Sequence, residues 1–496
     1  MSSANRLRAS IIDLTFITWA VAVPLVLHTR LLNADGDFPR HVTMGEFILR
    51  GGPWQIDRFA HTHTGPFLTT EWLSQLTLAL AHRAGGLAGV AVLGGLLVGA
   101  VYALLVAFMR RSRVEAFLAF VTALAAAVLG SPHWVARPHL FTFLGLALLL
   151  HLARHGRRWW IFAPFFAVWA NFHGGFILGI AVLAAMALGE WIESRVAKSG
   201  EDRARWLESA RRHALGVGAG IAGAMANPMG PGLLLRVRGI LGNEFLLATT
   251  SEFQSINFHG TYGRVFLVVL LAILVALTLR SRRLSVPTLL VVGMTLSGAL
   301  YARRNAPLFA LVALPLLAVE LDAGWRKLRV RGLERVRAVF DEGERVALPG
   351  RWAPWTAALL LVFALSGGGV AGSRLVPTGF DTHRFPVEAV AAARAAGLQG
   401  NIYNQFDWGG YLLYAWPEQR IFIDGMTDFL GNAVVRSYLA IDQLDPGWER
   451  ELDRYDVSIV IVSPQARVVP ALLRRGDWRT WHEDSTAVIL VREQNP

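Results

Sequence analysis

The chain alternates apolar stretches of membrane-crossing length with short polar turns. Runs of roughly 18 to 20 apolar residues mark membrane helices. Eleven spans are expected, at about 11–32, 87–109, 114–130, 139–153, 159–171, 176–192, 214–226, 264–279, 284–301, 306–321 and 352–366. The glycine-rich stretch 367–373, GGGVAGS, ends this region. Beyond it the period shortens. NIYNQ, RIFIDG, VSIVIVS and TAVILVR read as strands; VEAVAAARAAG, AVVRSYLAI and VVPALLRRG read as helices between them. The expected fold is an α-helical polytopic membrane region, residues 1–373, followed by a small α/β layer domain, residues 374–496.

The longest polar interruption lies early, over 33–86. After Pro39, apolar Val42, Met44, Phe47, Ile48 and Leu49 predict a short amphipathic helix lying on the membrane surface. A second surface helix is expected at 71–83, anchored by Trp72.

Composition agrees with a membrane protein. Of 496 residues 54% are apolar, only 17% are charged, and mean hydropathy is +0.41; soluble domains carry about 25% charge. The net charge of +12 does not point to nucleic acid, because the arginines sit in short turns. With the N-terminus cytoplasmic, inner segments hold about 25 Lys/Arg and outer loops about 10. Eleven spans then place the C-terminal domain outside. Arg6 and Arg8 precede an apolar run with no obvious small-residue cleavage site, which reads as an uncleaved first span. With no cysteine, disulfides and thiolate metal sites are excluded. No glycine-rich nucleotide loop is present.

The outer ends of the spans gather Asp35, Asp37, His41, Glu71, Arg137, His173, Glu252, Arg303 and Arg304. Charged groups at such depths cost free energy unless they are paired or line a wet cavity. Asp35 and Asp37, two apart, are able to hold a divalent cation such as Mg or Mn, or to supply a general base. A solvated turn is the plain alternative for this D-x-D pair. Arg137 and the twin Arg303–Arg304 suit phosphate, guanidinium being a bidentate partner; lipid contact is the plain alternative. His61-Thr62-His63 has zinc spacing without further ligands in sequence, and solvated histidines are the simpler account. In the tail, Asp407-Trp408-Gly409-Gly410 and Asp424-Gly425-Met426-Thr427-Asp428 follow strand ends, where open α/β sheets bind ligands; turn chemistry explains them equally.

DFPRHVTMGEFILRGG, WLSQLTLAL, ARPHLFTF and WANFHGGFILG, with NQFDWGGYL and FIDGMTD in the tail, resemble a group of bacterial GT-C-like membrane proteins. GT-C proteins are polytopic glycosyltransferases with a catalytic acidic residue on the first outer loop. Phe38–His41 departs from the group's pattern, which has a tryptophan before the histidine. The resemblance implies a polyprenyl-phosphate sugar donor, membrane lipid contacts and a glycan, lipid or protein acceptor, with no nucleic acid, in the bacterial inner membrane. It implies Asp37 first, then Asp35, at the transfer centre. Arg137, Arg303 and Arg304 would bind donor phosphate, and His41, Glu71, His173 and Glu252 would position the acceptor. Two other classes stay open: a lipid or glycan transporter, and an envelope-assembly scaffold. A transporter would favour mid-span ionisable residues and paired repeats; the spans show neither.

Overall fold

The computed structural model describes residues 8–52, 58–63, 65, 69–156, 158–278, 283–377 and 379–493. The N-terminal helices are α1 (Ile11–Leu25), α2 (His28–Asn33), α3 (Phe38–Leu49) and α4 (Trp72–Arg111). The first expected span is therefore two helices. Pro24 lacks an amide proton to continue the ladder, and the helix stops a residue later before restarting. The short α2 delivers the chain to Asp35 and Asp37.

Helix α4 joins the expected surface helix to the second span. Its kink falls at Gly85 and Gly86. Gly86 has φ +58°, a conformation costly for other residues, and a Cβ on Gly85 would strike the Ala364 carbonyl. Helix α16 (Ala353–Leu365) thus packs directly on the bend.

The remaining membrane-region helices are α5 (Ala116–Gly130), α6 (His139–His155), α7 (Phe162–Phe172), α8 (Phe176–Val196), α9 (Gly200–Ala224), α10 (Gly232–Leu241), α11 (Glu244–Thr249), α12 (Thr261–Thr278), α13 (Val286–Tyr301), α14 (Ala306–Trp325) and α15 (Arg331–Val346). Among the described residues, five helices are long and apolar enough to cross a membrane, and five shorter ones are apolar. The chain is a multi-pass membrane protein. The charged stretch between the expected spans 176–192 and 214–226 is mostly the first half of α9: Ser199 caps it by accepting from the Asp202 N–H at 3.0 Å. The basic loop after α14 likewise contains a helix, α15. In both, charged residues interrupt the long apolar runs that mark a membrane span.

The tail begins with a hairpin, β1 (Gly369–Val370) and β2 (Ser373–Arg374). Its main sheet has four strands: β3 (Asn401–Asn404), β4 (Val457–Val462), β5 (Trp478–Glu483) and β6 (Val488–Arg492). The order is β3-β4-β6-β5, with β3 parallel to β4 and the other pairs antiparallel. Helices α17 (Val387–Ala395), α18 (Gly409–Ala415), α19 (Thr427–Leu430), α20 (Asn432–Gln443), α21 (Trp448–Arg454) and α22 (Val468–Arg475) connect them. RIFIDG is not a strand. Its Ile421 forms an isolated parallel bridge with Ala60 of the first loop. Strand β5 escaped the sequence reading because its polar residues, RTWHE, are only partly covered.

The first loop is built into the tail. Met44, Phe59 and Ala60 belong to the same buried cluster as the tail strands. This corrects the expectation that α3 lies on lipid. Phe38 through Val42, Met44 and Gly45 are buried, with α4 on one side and α18 on the other. Arg40 and Asp424 form an ion pair, 1% and 0% exposed, across that seam.

Candidate functional site

The site starts from a turn. The Asp37 N–H donates to the Asp35 carboxylate at 2.8 Å. Asp37 is also the N-cap residue of α3, yet its side chain caps nothing. Aspartate at this position normally bonds the helix N–H groups; here its carboxylate turns to Arg137. One guanidinium takes both acids: Nη1 meets Asp35 Oδ2 at 2.7 Å and Nη2 meets Asp37 Oδ2 at 2.6 Å. Arg137 arrives there because the neighbouring Ala136 N–H donates to the Leu31 carbonyl of α2 at 2.9 Å.

The cluster continues outward. Arg137 Nη1 lies 3.4 Å from Glu252 Oε1, and Glu252 Oε2 lies 3.9 Å from Arg304 Nη1. Arg304 rests over the Phe253 ring, 4.7 Å from its centroid. Its neighbour Arg303 is exposed and makes no ion pair among the described residues. Glu71 lies 3.5 Å from His173 Nε2. The other ring nitrogen of His173 accepts from the Gly175 N–H at 3.1 Å and lies 2.8 Å from the Thr142 hydroxyl. That leaves Nε2 to carry the proton toward Glu71.

Electrostatics separates the two aspartates. Burial disfavours charge on Asp35, but Arg137 and the Asp37 N–H outweigh it and hold its pKa below the ordinary value. Burial dominates at Asp37; Arg137 opposes it, Asp35 reinforces it, and the pKa is pushed up to about 6. Two neighbouring carboxylates driven apart in this way suit different roles. Burial, then Asp428, raises Glu71 to about 7. Burial, then Arg137 and Arg40, lowers His41 to about 3, so His41 is neutral; its Nδ1 is buried without a hydrogen-bond partner among the described residues. Burial also lowers His173 well below its usual range, and lowers Arg304.

The structure thus brings Asp35, Asp37, Arg137, Glu252 and Arg304 into one chain of ion pairs. Glu71 and His173 form a second pair within that electrostatic field. Sequence reasoning missed the tail's share. A Cβ on Gly425 would land on the Asp37 carboxylate, one on Gly36 on the Asp407 backbone, and one on Gly410 on the Gly36 carbonyl. Arg236 pairs with Asp428 at 2.8 Å, tying α10 to the same tail loop. The signal was present in the glycines of DWGG and DGMTD, which permit backbone to lie against backbone. His61 is half-buried and held to the tail: its Nε2 lies 2.9 Å from the Ile402 carbonyl. The His63 ring lies 4.5 Å from the ring of Phe429.

A cation fits the acidic pair poorly as arranged. Both carboxylates already face one guanidinium, and among the described residues no three His, Cys, Asp or Glu side chains converge.

No family model and no curated protein matches the chain. Solved structures do. The archaeal oligosaccharyltransferase AglB from Archaeoglobus fulgidus, in complex with an inhibitory peptide and a dolichol-phosphate, superposes with a TM-score of 0.56 at 12% identity. That match covers 91% of this chain and 68% of AglB. ArnT from Cupriavidus metallidurans in the apo state gives 0.51 at 13% identity, covering 96% and 97%. At such identities the likeness is one of fold. The chain therefore shares the overall fold of AglB and ArnT over nearly its whole length.

Proposed function

We propose that this chain is a membrane glycosyltransferase that moves a sugar from a polyprenyl-phosphate-linked donor to an extracytoplasmic acceptor. The observation that carries the reading is the pairing of Asp35 and Asp37 through Arg137, with Asp37 pushed up to about 6 against a tail loop. A base poised near the working pH transfers protons efficiently. The shared fold supports a lipid-phosphate donor, since the AglB structure holds a dolichol-phosphate. Such a donor brings its phosphate to the membrane surface, so no nucleotide loop is needed.

The reaction is an in-line displacement. The acceptor oxygen bonds to the anomeric carbon as the bond from that carbon to the phosphate oxygen breaks. The electron pair leaves with the polyprenyl phosphate, and the configuration inverts. Asp37 takes the proton of the acceptor hydroxyl. Asp35 stays ionised and, with Arg137, fixes Asp37 in place. Arg304 and Arg303 carry the charge developing on the leaving phosphate, Arg137 being largely committed to carboxylates. His41, Glu71, His173 and Glu252 orient the acceptor. Any Mg or Mn ion would bind at Asp35 and Asp37 and only by displacing Arg137. The acceptor is a glycan, a lipid or a protein. The setting is the bacterial inner membrane, with the N-terminus cytoplasmic and residues 374–496 forming an extracytoplasmic domain.

The test is a lipid and glycan comparison by mass spectrometry between cells with wild-type protein, with none, and with Asp37→Asn. A sugar missing from the same product in the last two, with variant protein present in membranes, supports transfer. A variant that restores the product would refute the base role and favour a transporter or scaffold.

A further inference from the structure

The tail holds a cleft that the transfer chemistry above does not use. Its volume is about 280 Å³. It opens where β3 and β4 end side by side, since Gln405 and Asp407 follow β3 and Ser463 follows β4. The end of parallel strands is where open sheets bind ligands. Ser485 and Thr486 of the turn between β5 and β6 form another wall, and Arg384 a third. The floor is Gly36, the residue between the two paired aspartates.

The lining is mostly hydrogen-bonding groups, unlike the apolar lining usual for small-molecule pockets. Several of these groups are held from behind. Gln405 spends its side-chain oxygen on the Ser463 N–H at 2.9 Å, which leaves its amide nitrogen as a donor. Arg384 uses one guanidinium nitrogen on the Ala34 carbonyl at 2.7 Å and keeps the rest. The Thr486 hydroxyl donates to the Thr382 carbonyl at 2.7 Å and retains its lone pairs. Asp407 is an exposed acceptor, while Trp408 and Phe385 lie in the tail core, 4% and 1% exposed, and back the cleft from behind. Fixed amide, guanidinium, hydroxyl and carboxylate groups around one cleft match the mixed donors and acceptors of a hydroxyl-rich sugar ring. The volume, about 280 Å³, lies just below the roughly 300 to 1,000 Å³ typical of ligand sites, which suits one or two rings and not a lipid tail.

We infer that this cleft binds a neutral, hydroxyl-rich saccharide and holds it as the acceptor beside the Asp35–Asp37 turn. The inference rests on the proposed transfer reaction for the word acceptor, while the binding itself does not.

Saturation-transfer NMR on the full chain in lipid nanodiscs tests it, with maltose and N,N′-diacetylchitobiose as probes. At least one probe is expected to show saturation transfer from the protein. Asp407→Ala, which removes a carboxylate, and Ser485→Trp, which fills the mouth, are each expected to weaken that binding at least tenfold. Both positions are exposed, so the fold should survive. Asp37→Asn is expected to keep the binding. No signal from either probe, or signals unchanged in both cleft variants, overturns the inference and leaves the catalytic reading standing. A serine- and threonine-rich peptide binding where the saccharides do not also overturns it. Transfer surviving in Asp37→Asn refutes the catalytic reading while saccharide binding stands.

Discussion

Asp37 is held at a cost, and that cost has a pH signature. Its folded pKa of about 6 lies above the ordinary 3.8, with burial as the main cause. Below pH 3.8 the carboxyl is protonated in the folded and the unfolded chain alike. Between there and about 6 the unfolded chain releases the proton first, so stability falls as pH rises. The advantage of the protonated form is thus complete below 3.8 and gone once pH has passed about 6. A difference of about 2 pKa units, at about 1.36 kcal/mol each, is roughly 3 kcal/mol. Asparagine resembles the protonated acid and never ionises. Asp37→Asn is therefore expected to stabilise the protein at pH 7 by up to about 3 kcal/mol while abolishing transfer. Asp35→Asn is the control of opposite sign. Asp35's lowered pKa gives stability present above its ordinary value and lost as pH falls through the folded one. That variant should melt earlier at pH 7. The assay is intrinsic-fluorescence melting in nanodiscs from pH 4 to pH 8. The gain from Asp37→Asn should shrink to nothing at pH 4. A variant that melts below wild type at pH 7, or a difference that does not change with pH, would refute the argument.

The buried pair Arg40–Asp424 joins the first loop to the tail. Removing one partner of such a pair costs about 3–5 kcal/mol, whereas replacing both costs far less. Arg40→Met should destabilise by that amount, read as an earlier melt and faster proteolysis of the tail, and Asp424→Leu added to it should recover most of the loss. Because Arg137 already supplies positive charge to Asp35 and Asp37, transfer is expected to persist in excess EDTA; loss reversed by added Mg or Mn would show that a metal displaces Arg137.

Periodicity alone was enough for the multi-helix membrane region and for three of the four strands of the main tail sheet, because each buries an apolar face that the sequence displays locally. The acidic turn and its arginines were legible too, since charge at the outer ends of apolar spans is costly and stands out. Helices α9 and α15 were not, because their charged residues interrupt the apolar runs that mark a membrane span. Nor was the role of RIFIDG, whose alternation is real but whose partner is Ala60, more than 350 residues earlier.

The sequence by itself determined that the chain is a multi-pass membrane protein and that its charged and histidine residues gather at the ends of its spans. Only the tertiary structure decided that Arg137 binds both aspartates and that the tail closes on them. The reason is physical: hydrophobic burial is encoded by neighbouring residues. The pKa of Asp37 depends on a guanidinium about 100 residues away and a glycine nearly 400 away, brought together by packing alone.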